Sequence, residues 1–325
     1  MNRPRCAIGV DLGGTKVDIG LIEEYGKITH RIQSPTEVEA GPEGVIAQIV
    51  SGIRQLQNQS GLVPEGIGIG VAGQIESGTG NVFFSPNLKW VNVPLASSIR
   101  AQLNGIETLV TNDVRAATLG EWLYGNGKGC QDLICLYVGT GIGGGIVTGG
   151  RLITGVSNSA GELGHVPIQR EGLACTCGGY GCLEAYAGGW AIARRAREAI
   201  QASPQDGEFI LKLAEGNLQS VTAKIVSEAA KQEDLLAERL MNETAEALAT
   251  GITGFINAFN PQKIIMGGGV IHGFLPLVDL IKERVEGRAL KVACSVLTIE
   301  PACIINQGSL LGAAAQIFQS RDIKL

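Results

Sequence analysis

The chain has 325 residues, of which 45% are hydrophobic and 18% are charged, and its formal net charge is −5. This composition supports a sizeable core and more than one domain, and it argues against extended disorder. The sequence contains no long run of Lys or Arg, no apolar stretch long enough to cross a bilayer and no recognisable signal peptide. We therefore expect a cytoplasmic protein with neither a nucleic-acid partner nor a membrane partner.

The N-terminal third alternates strand and helix patterns, which is typical of an α/β sheet covered by helices. Two apolar runs joined by a Gly-rich turn open the chain, and a helix is predicted where Val45, Ile46, Ile49, Val50 and Ile53 recur on one face. The predicted strands cover 6–22 (two runs), 27–33, 65–73 and 107–113, and the predicted helices cover 42–57, 94–103 and 114–124.

The remaining chain repeats the opening design, since residues 132–150 again form two apolar runs around a Gly-rich turn. This similarity suggests two related halves. A mostly helical region is predicted from 184 to about 260, with its clearest helix at 235–259. Strands at 263–269 and 295–301, a helix after Pro276 and a helix at 308–318 complete the prediction. This division predicts two domains. The smaller one consists of residues 1–114 plus about 308–325, and the larger one consists of residues 115–307.

The first Gly-rich turn follows Asp11 and contains Gly13, Gly14, Thr15 and Lys16. Glycines allow backbone N–H groups to approach a phosphate, and the carboxylate of Asp11 could orient hydrated Mg²⁺. An ordinary hairpin turn is the alternative when this segment is considered alone.

The second turn, GTGIGGG, supports nucleotide binding because it repeats the first in a similar setting. The Walker pattern is absent because Lys16 of the first turn lacks the required spacing, and the second turn is not a dinucleotide fingerprint because a strand rather than a helix follows it. A third glycine segment follows strand 263–266. Its backbone could lie close to the adenine or ribose of a nucleotide, and the alternative is a simple turn from strand to helix. The candidate residues in these two segments are Gly139, Thr140, Gly141, Gly143 and Gly268.

Asp113 lies where a predicted strand ends and a helix begins. A carboxylate with an ordinary pKa of about 3.9 is ionised in the cell and can accept a hydroxyl proton during phosphoryl transfer. The alternative is that Asp113 only caps the helix.

Groups suited to the hydroxyls of a sugar occur at four other places. Gly73, in the segment VAGQIE, and Asn87 offer backbone and amide partners. Glu162 and Glu184 are carboxylates in Gly-rich surroundings, and each is close in sequence to a candidate metal ligand. Solvated surface carboxylates are the alternative for these two.

His165 precedes the run Cys175-Thr-Cys177-Gly-Gly-Tyr-Gly-Cys182. Three thiolates and one imidazole form a closed tetrahedral set, which is the pattern of structural Zn²⁺ in a reducing compartment. Four protein ligands leave no position for a catalytic water, so a scaffold role is expected. The alternative is a loop of free thiols.

The segments DLGGTK, SPNLKW, TND, GTGIGGG, GELGH and CTCGGYGCLE, in this order, resemble the ROK family of bacterial sugar kinases and repressors across nearly the whole chain. The resemblance implies an actin-like, hexokinase-type (ribonuclease H-like) ATPase fold of two α/β domains around a cleft. Within the family the chain looks most like the glucokinases. Family repressors carry an additional N-terminal DNA-binding domain, and only a few residues precede the first strand here.

The resemblance also implies residue roles. The turns from Asp11 to Lys16 and from Gly139 to Gly145 would bind phosphates, and Asp113 would be the catalytic base. Contacts to sugar would come from Asn87, Asn112, Glu162, His165 and Glu184, and zinc would be held by His165, Cys175, Cys177 and Cys182. Homodimers or homotetramers are common in the family.

The sequence therefore predicts ATP-dependent phosphorylation of a hexose 6-hydroxyl, with glucose as the expected substrate. A kinase for N-acetylmannosamine, N-acetylglucosamine or fructose remains open, as does polyphosphate as the donor. A sugar-sensing regulator without catalysis is disfavoured by the retention of both turns and Asp113, and a zinc-stabilised interaction module by the paired turns.

Overall fold

The computed structural model describes residues 4–322 of the chain. These residues form two compact units, one built from 4–129, Leu152–Gly161 and 303–322 and the other from Cys130–Arg151 and Glu162–Ala302. The domain boundary predicted at residue 114 falls inside a helix of the first unit. No helix in the described part of the chain is both long and apolar enough to cross a membrane.

The strands of the described residues are named in chain order. They are β1 (Cys6–Leu12), β2 (Lys16–Glu23), β3 (Ile28–Pro35), β4 (Ile67–Val71), β5 (Gln74–Ile75), β6 (Val82–Ser85), β7 (Trp90–Val93), β8 (Thr108–Asn112), β9 (Leu133–Val138), β10 (Ile142–Thr148), β11 (Arg151–Leu152), β12 (Lys263–Gly267) and β13 (Thr298–Pro301).

The α-helices of the same residues are also named in chain order. They are α1 (Gly41–Ser60), α2 (Leu95–Gln102), α3 (Asp113–Tyr124), α4 (Glu184–Ala187), α5 (Gly189–Ala202), α6 (Glu208–Leu213), α7 (Ala223–Lys231), α8 (Leu235–Phe259), α9 (Gly269–Gly273), α10 (Pro276–Val285), α11 (Lys291–Cys294) and α12 (Gly308–Asp322). Short 3-10 helices cover Val38–Ala40, Leu163–His165 and Leu218–Ser220.

The first unit is built on a five-stranded sheet in the order β3-β2-β1-β4-β8. Strands β1 and β2 are antiparallel, whereas β1, β4 and β8 run parallel. The face of α1 predicted from its 3.6-residue periodicity is buried against this sheet and contains Val45, Ile49 and Ile53. A small antiparallel sheet, β5-β6-β7, was not predicted, because its strands are too short to show an alternating pattern.

The second unit has a sheet in the order β11-β10-β9-β12-β13. Its first hairpin, β9 and β10, is antiparallel, and β9, β12 and β13 run parallel, as in the first unit. Helices α4 to α8 account for the predicted helical region. Ligands of open α/β sheets bind at the carboxyl ends of the parallel strands, which makes these edges of the two sheets the candidate binding regions.

Candidate functional site

The first glycine-rich turn connects β1 to β2 at the carboxyl end of β1. The backbone N–H of Gly13 donates to the carbonyl of Lys16 at 3.0 Å, and the hydroxyl of Thr36 donates to the carbonyl of Gly13 at 2.7 Å. A Cβ atom at Gly14 would lie 2.5 Å from the backbone oxygen of Asn87, so only glycine permits this approach. The turn and Asn87 are thereby brought together.

Lys16 pairs with a buried carboxylate of β2, whose other partners come from β3. The carboxylate of Asp18, which is fully buried, accepts from Arg31 Nε at 2.9 Å, from Arg31 Nη2 at 2.6 Å and from Gln33 at 3.0 Å. Lys16 Nζ lies 3.5 Å from Asp18 Oδ2. Burial alone would raise the pKa of Asp18, but its partners, Arg31 foremost, hold the pKa below its ordinary value.

Neither Asp18 nor Arg31 was predicted from the sequence. The available signal was a charged residue inside the apolar run KVDIGLI, since a buried carboxylate there needs a cationic partner. The partner could not be chosen without the register that joins β2 to β3.

Asp11 lies beside this cluster, opposite Asp18 in the β1–β2 ladder. Burial raises the pKa of Asp11 above its ordinary value, while the nearby Ser309 hydroxyl and the Lys16 ammonium act in the opposite direction. Asp11 also pairs with Gly70 of β4. A Cβ at Gly70 would lie 3.4 Å from Asp113 Cα, so Asp11 and the start of α3 share one edge of the sheet.

Two polar residues, Asn112 and Asp113, lie at the start of α3, and the sequence could not decide which of them caps the helix. Asn112 is the helix cap, because its Oδ1 accepts from the backbone N–H groups of Val114 at 3.0 Å and Arg115 at 3.2 Å. Its Nδ2 donates to the carbonyl of Gly73 at 3.3 Å. Asp113 Oδ1 accepts from the N–H of Val114 at 3.0 Å. The cap is therefore supplied by Asn112, and the carboxylate of Asp113 is not required for it.

The second glycine-rich turn is shorter than predicted. The N–H of Gly139 donates to the carbonyl of Gly141 at 2.9 Å, and β10 begins at Ile142. Gly143 therefore lies inside β10, where it pairs with Tyr137. Thr140 remains at the exposed tip of the turn. The backbone of this turn also accepts hydrogen bonds from the start of α5.

The third glycine segment lies beside this second turn. Gly267 of β12 pairs with Tyr137 of β9, and Gly268 has a φ of 92°, a left-handed conformation that favours glycine. His272 links the segment to the end of β13, with Nδ1 3.0 Å from the carbonyl oxygen of Gly268 and Nε2 3.1 Å from that of Ala302.

A cavity of about 630 Å³ opens between these two turns and the helices of the second unit. This volume lies within the usual range for small-molecule sites. Its outer wall, which was not predicted from the sequence, comes from α5, α7 and the segment between α6 and α7. The lining residues are Gly139, Thr140, Gly189, Trp190, Ala193, Arg197, Gln219, Val221, Thr222, Ala223, Lys224, Gly269 and Val270.

The predicted metal ligands gather at one point. The nitrogen and sulfur atoms of His165, Cys175, Cys177 and Cys182 all lie within 4.8 Å of one another. His165 Nδ1 is 3.7 Å from Cys175 Sγ, and Cys177 Sγ is 3.7 Å from Cys182 Sγ. Burial and the neighbouring sulfurs raise the pKa of Cys182 to about 12, whereas a backbone hydrogen bond from Gly179 lowers that of Cys177.

The predicted sugar carboxylates of the second unit differ in exposure. Glu162 is exposed and precedes the 3-10 helix Leu163–His165. A Cβ at Gly164 in this helix would clash with the backbone of Ile142, so the helix lies against the start of β10. Glu184 is buried, and its Oε2 accepts from the N–H of Ile142 at 2.7 Å. Both segments are thus anchored next to the second turn.

The chain matches the model of the ROK family over residues 7–320. It is 38% identical to a glucokinase of Thermotoga maritima over 311 residues, which is 95% of this chain and 96% of the relative. It is 30% identical to an N-acetylmannosamine kinase of Escherichia coli over 276 residues, which is 84% of this chain and 87% of the relative.

Among solved structures, the chain resembles a ROK family glucokinase from Streptomyces griseus, determined with glucose and AMPPNP. The TM-score is 0.81 and the sequence identity is 32%, with 97% of this chain and 99% of the other covered. The actin-like ATPase fold expected from the sequence is confirmed by this similarity. With the family model covering nearly every residue, the chain belongs to the ROK family.

Proposed function

We propose that this protein transfers the γ-phosphoryl group of ATP to the 6-hydroxyl of glucose. The observation that carries the proposal is the edge of the first sheet, where Asp113 and the turn after Asp11 lie together while Asn112 supplies the helix cap. The similarity to glucokinases of Thermotoga maritima and Streptomyces griseus, the latter solved with glucose and AMPPNP, supports the choice of sugar and donor.

Asp113 is the proposed general base. Its position in the first turn of α3 favours a negative charge, because the helix dipole is positive there. In a loose phosphoryl transfer the base accepts the hydroxyl proton late, so correct placement of the hydroxyl matters more than strong basicity. The backbone N–H of Gly14 and the ammonium of Lys16 are the proposed donors to the phosphates, whereas the N–H of Gly13 is already bonded to the carbonyl of Lys16.

The cavity of the second unit is the proposed nucleotide site. Gly139 and Thr140 line one end of it, where phosphates would meet the backbone N–H of Thr140, since the N–H of Gly139 is bonded to the carbonyl of Gly141. Trp190 supplies an aromatic wall for the base, while Arg197 and Lys224 supply positive charge for an anionic ligand. The Mg²⁺ that accompanies ATP requires oxygen ligands, and Asp11 offers a carboxylate for it, in part through water. When bound, Mg²⁺ neutralises phosphate charge.

A structural Zn²⁺ is proposed for the cluster of His165, Cys175, Cys177 and Cys182. With Zn–S bonds of about 2.3 Å and a Zn–N bond of about 2.1 Å, tetrahedral geometry separates two sulfurs by about 3.8 Å and sulfur from nitrogen by about 3.6 Å. The observed separations of 3.7 Å for each type agree with these values. The ion would close the loop from 175 to 182, and no chemical step is assigned to it.

The identity of the sugar is tested by a coupled assay with purified protein, Mg²⁺-ATP and a panel of glucose, fructose, N-acetylglucosamine and N-acetylmannosamine. We expect the highest kcat/KM with glucose, and polyphosphate replaces ATP in a parallel arm. N-acetylmannosamine is the principal competitor because of the similarity to the Escherichia coli kinase. A higher kcat/KM for that sugar would make this protein an N-acetylmannosamine kinase of the same family rather than a glucokinase. Binding of sugar without any turnover would favour a regulator and overturn the proposal.

A further inference from the structure

A separate cavity of about 370 Å³ lies in the first unit, beside β8, which is the last strand of that sheet. Its walls come from the turn at 76–80, α2, β8, the segment 152–158 and α12. Because residues 108–111 all line it and successive side chains of a strand point to opposite faces, the cavity follows the edge of β8. Its lining includes none of the residues assigned above to sugar, phosphate or zinc. We call it the β8 cavity.

The walls of the β8 cavity are fixed by specific contacts. The amide of Asn158 accepts from the guanidinium of the buried Arg115 through Oδ1, and its Nδ2 donates to the carbonyl of Ile75 at 3.0 Å. Gly80 has a φ of 71°, and a Cβ atom there would lie 2.7 Å from the Cβ of Ala96, so only glycine lets this turn pack against α2. The cavity is therefore formed in advance of any ligand, and its volume lies within the usual range for small-molecule sites.

Arg100 of α2 lines this cavity with an unsatisfied guanidinium. Its Nε is buried, and the side chain has neither a hydrogen bond nor an ion pair within residues 4–320. The other arginines of the first unit whose side chains are described all donate to a partner in the same unit, namely Arg5, Arg31, Arg54 and Arg115. A guanidinium has five donors and is costly to desolvate without acceptors, so Arg100 is available to an anion.

The other charged residue of the lining, Glu76, is occupied by its own turn. Its Oε2 accepts from the hydroxyl of Thr79 at 2.7 Å and from the amide of Asn81 at 2.9 Å. It therefore holds the turn at 76–80 in place and leaves Arg100 without a counter-charge. Three further lining residues offer neutral hydroxyl or amide groups that have no side-chain hydrogen bond within the described side chains, namely Thr111, Thr154 and Gln319. One cation surrounded by neutral donors and acceptors suits a ligand with both an anionic group and hydroxyls.

We propose that the β8 cavity binds a small phosphate ester, with its phosphate on Arg100 and its hydroxyls on the neutral side chains around it. The planar fork of a guanidinium matches phosphate oxygens in a bidentate arrangement, which makes arginine the side chain best suited to this group. The site is separate from the proposed catalytic site, and its occupant undergoes no reaction. Glucose 6-phosphate is the first probe, because the proposed reaction produces it and it carries both kinds of group.

Calorimetric titration with glucose 6-phosphate tests the site without turnover. The titration is done with glucose and AMPPNP at saturating concentrations, so that the proposed catalytic site is already filled. We expect Arg100→Gln to raise the dissociation constant about tenfold or more, as for loss of a charge-assisted contact. Arg54→Gln is the matched control, because it removes the same charge from an exposed position on α1 outside the lining and should leave the constant unchanged.

Thermal unfolding separates lost binding from lost folding. Without ligand, Arg100→Gln should unfold at the wild-type temperature, because its guanidinium has no partner to lose. Glucose 6-phosphate should raise the unfolding temperature of the wild type more than that of Arg100→Gln, since a ligand stabilises the folded state that binds it.

Two results would overturn the proposal. One is the same dissociation constant for glucose 6-phosphate in the wild type and in Arg100→Gln, which would leave the β8 cavity filled by solvent only. The other is inorganic phosphate binding as tightly as glucose 6-phosphate, which would show that no ester is recognised. Failure of the proposed function looks different: a wild-type protein that binds neither glucose nor AMPPNP would refute the kinase proposal, while an Arg100-dependent affinity for glucose 6-phosphate would still support this cavity.

Discussion

The two glycine-rich turns stand at equivalent places in two sheets of the same strand order, yet their surroundings differ in charge. The first turn is flanked by Asp11 and Lys16, with the ion pair of Asp18 and Arg31 behind it. The second turn, from Gly139 to Gly141, has no charged residue of its own. Its support is the carboxylate of Glu184, at the start of α4 and two residues after Cys182.

We infer from this contrast that the two units have different roles in the proposed reaction. In the proposed reaction, the groups that accept the hydroxyl proton and neutralise phosphate charge lie at the first turn, near Asp113. A neutral turn with a large cavity beside it suits the binding of a nucleotide through backbone groups and an aromatic face. Substitutions in the first unit should therefore alter the chemical step, and substitutions in the second should alter nucleotide affinity or stability.

The largest expected effect is that of Asp113→Asn. Asparagine cannot accept the hydroxyl proton, so kcat should fall by about a thousandfold, within the range usual for loss of a general base. Fold and AMPPNP affinity should be preserved, because Asn112 caps α3 and the proposed nucleotide cavity lies in the second unit. Steady-state kinetics and calorimetric titration check this. A wild-type kcat in this variant would show that Asp113 is not the base. It would also contradict the proposal that the first turn, rather than the second, carries the chemical step.

The second effect concerns the proposed zinc. Cys182→Ser removes a buried ligand, so metal content should drop from about one equivalent to a small fraction. The free energy of unfolding should fall by about 3 kcal/mol or more, because loss of a metal is among the few mechanisms that produce large destabilisation. Metal analysis and chemical denaturation measure the two quantities. Cys294→Ser, in the same unit but outside the cluster, is the control and should leave metal content unchanged. Equal metal content in both variants would contradict the zinc assignment.

Short-range sequence patterns predicted many of the local features of this molecule. The two glycine turns, the amphipathic α1 and the grouping of Cys175, Cys177 and Cys182 all follow from short-range spacing, which the sequence displays directly. The start of α3 was located, but whether Asn112 or Asp113 caps it could not be decided, because both residue types cap helices.

Long-range partners could not be predicted. The bond between Glu184 and Ile142 joins residues 42 positions apart, and it depends on how α4 packs beside β10. The cavity wall formed by Trp190, Arg197 and Lys224 depends in the same way on the packing of α5 and α7. Such contacts are set by tertiary structure rather than by any periodicity along the chain.

The smallest expected effect concerns the ion pair behind the first glycine-rich turn. Asp18→Asn keeps the shape of the side chain but leaves Arg31 and Lys16 without a buried counter-charge. Because Arg31 is about one-third exposed, the loss of stability should be about 1–3 kcal/mol rather than that of a fully buried pair. Lys16 should also become less well placed, which predicts a lower kcat with little change in AMPPNP affinity.

The pH dependence of this variant has a definite sign. The pKa of Asp18 in the folded protein is lowered relative to the unfolded chain, because Arg31 and its other partners outweigh burial. Its stabilising effect is therefore fully present above the unfolded pKa of about 3.9 and is lost as the pH falls through the folded value. Guanidinium unfolding at pH 7, 5 and 3 should show a difference between wild type and Asp18→Asn that is constant from pH 7 to 5 and smaller at pH 3. Asp279→Asn, at an exposed carboxylate on α10, should show no comparable difference at pH 7. A gap that widens toward acid would mean that the ion pair of the first turn does not stabilise the fold, and the charge contrast between the two turns would then have no energetic basis.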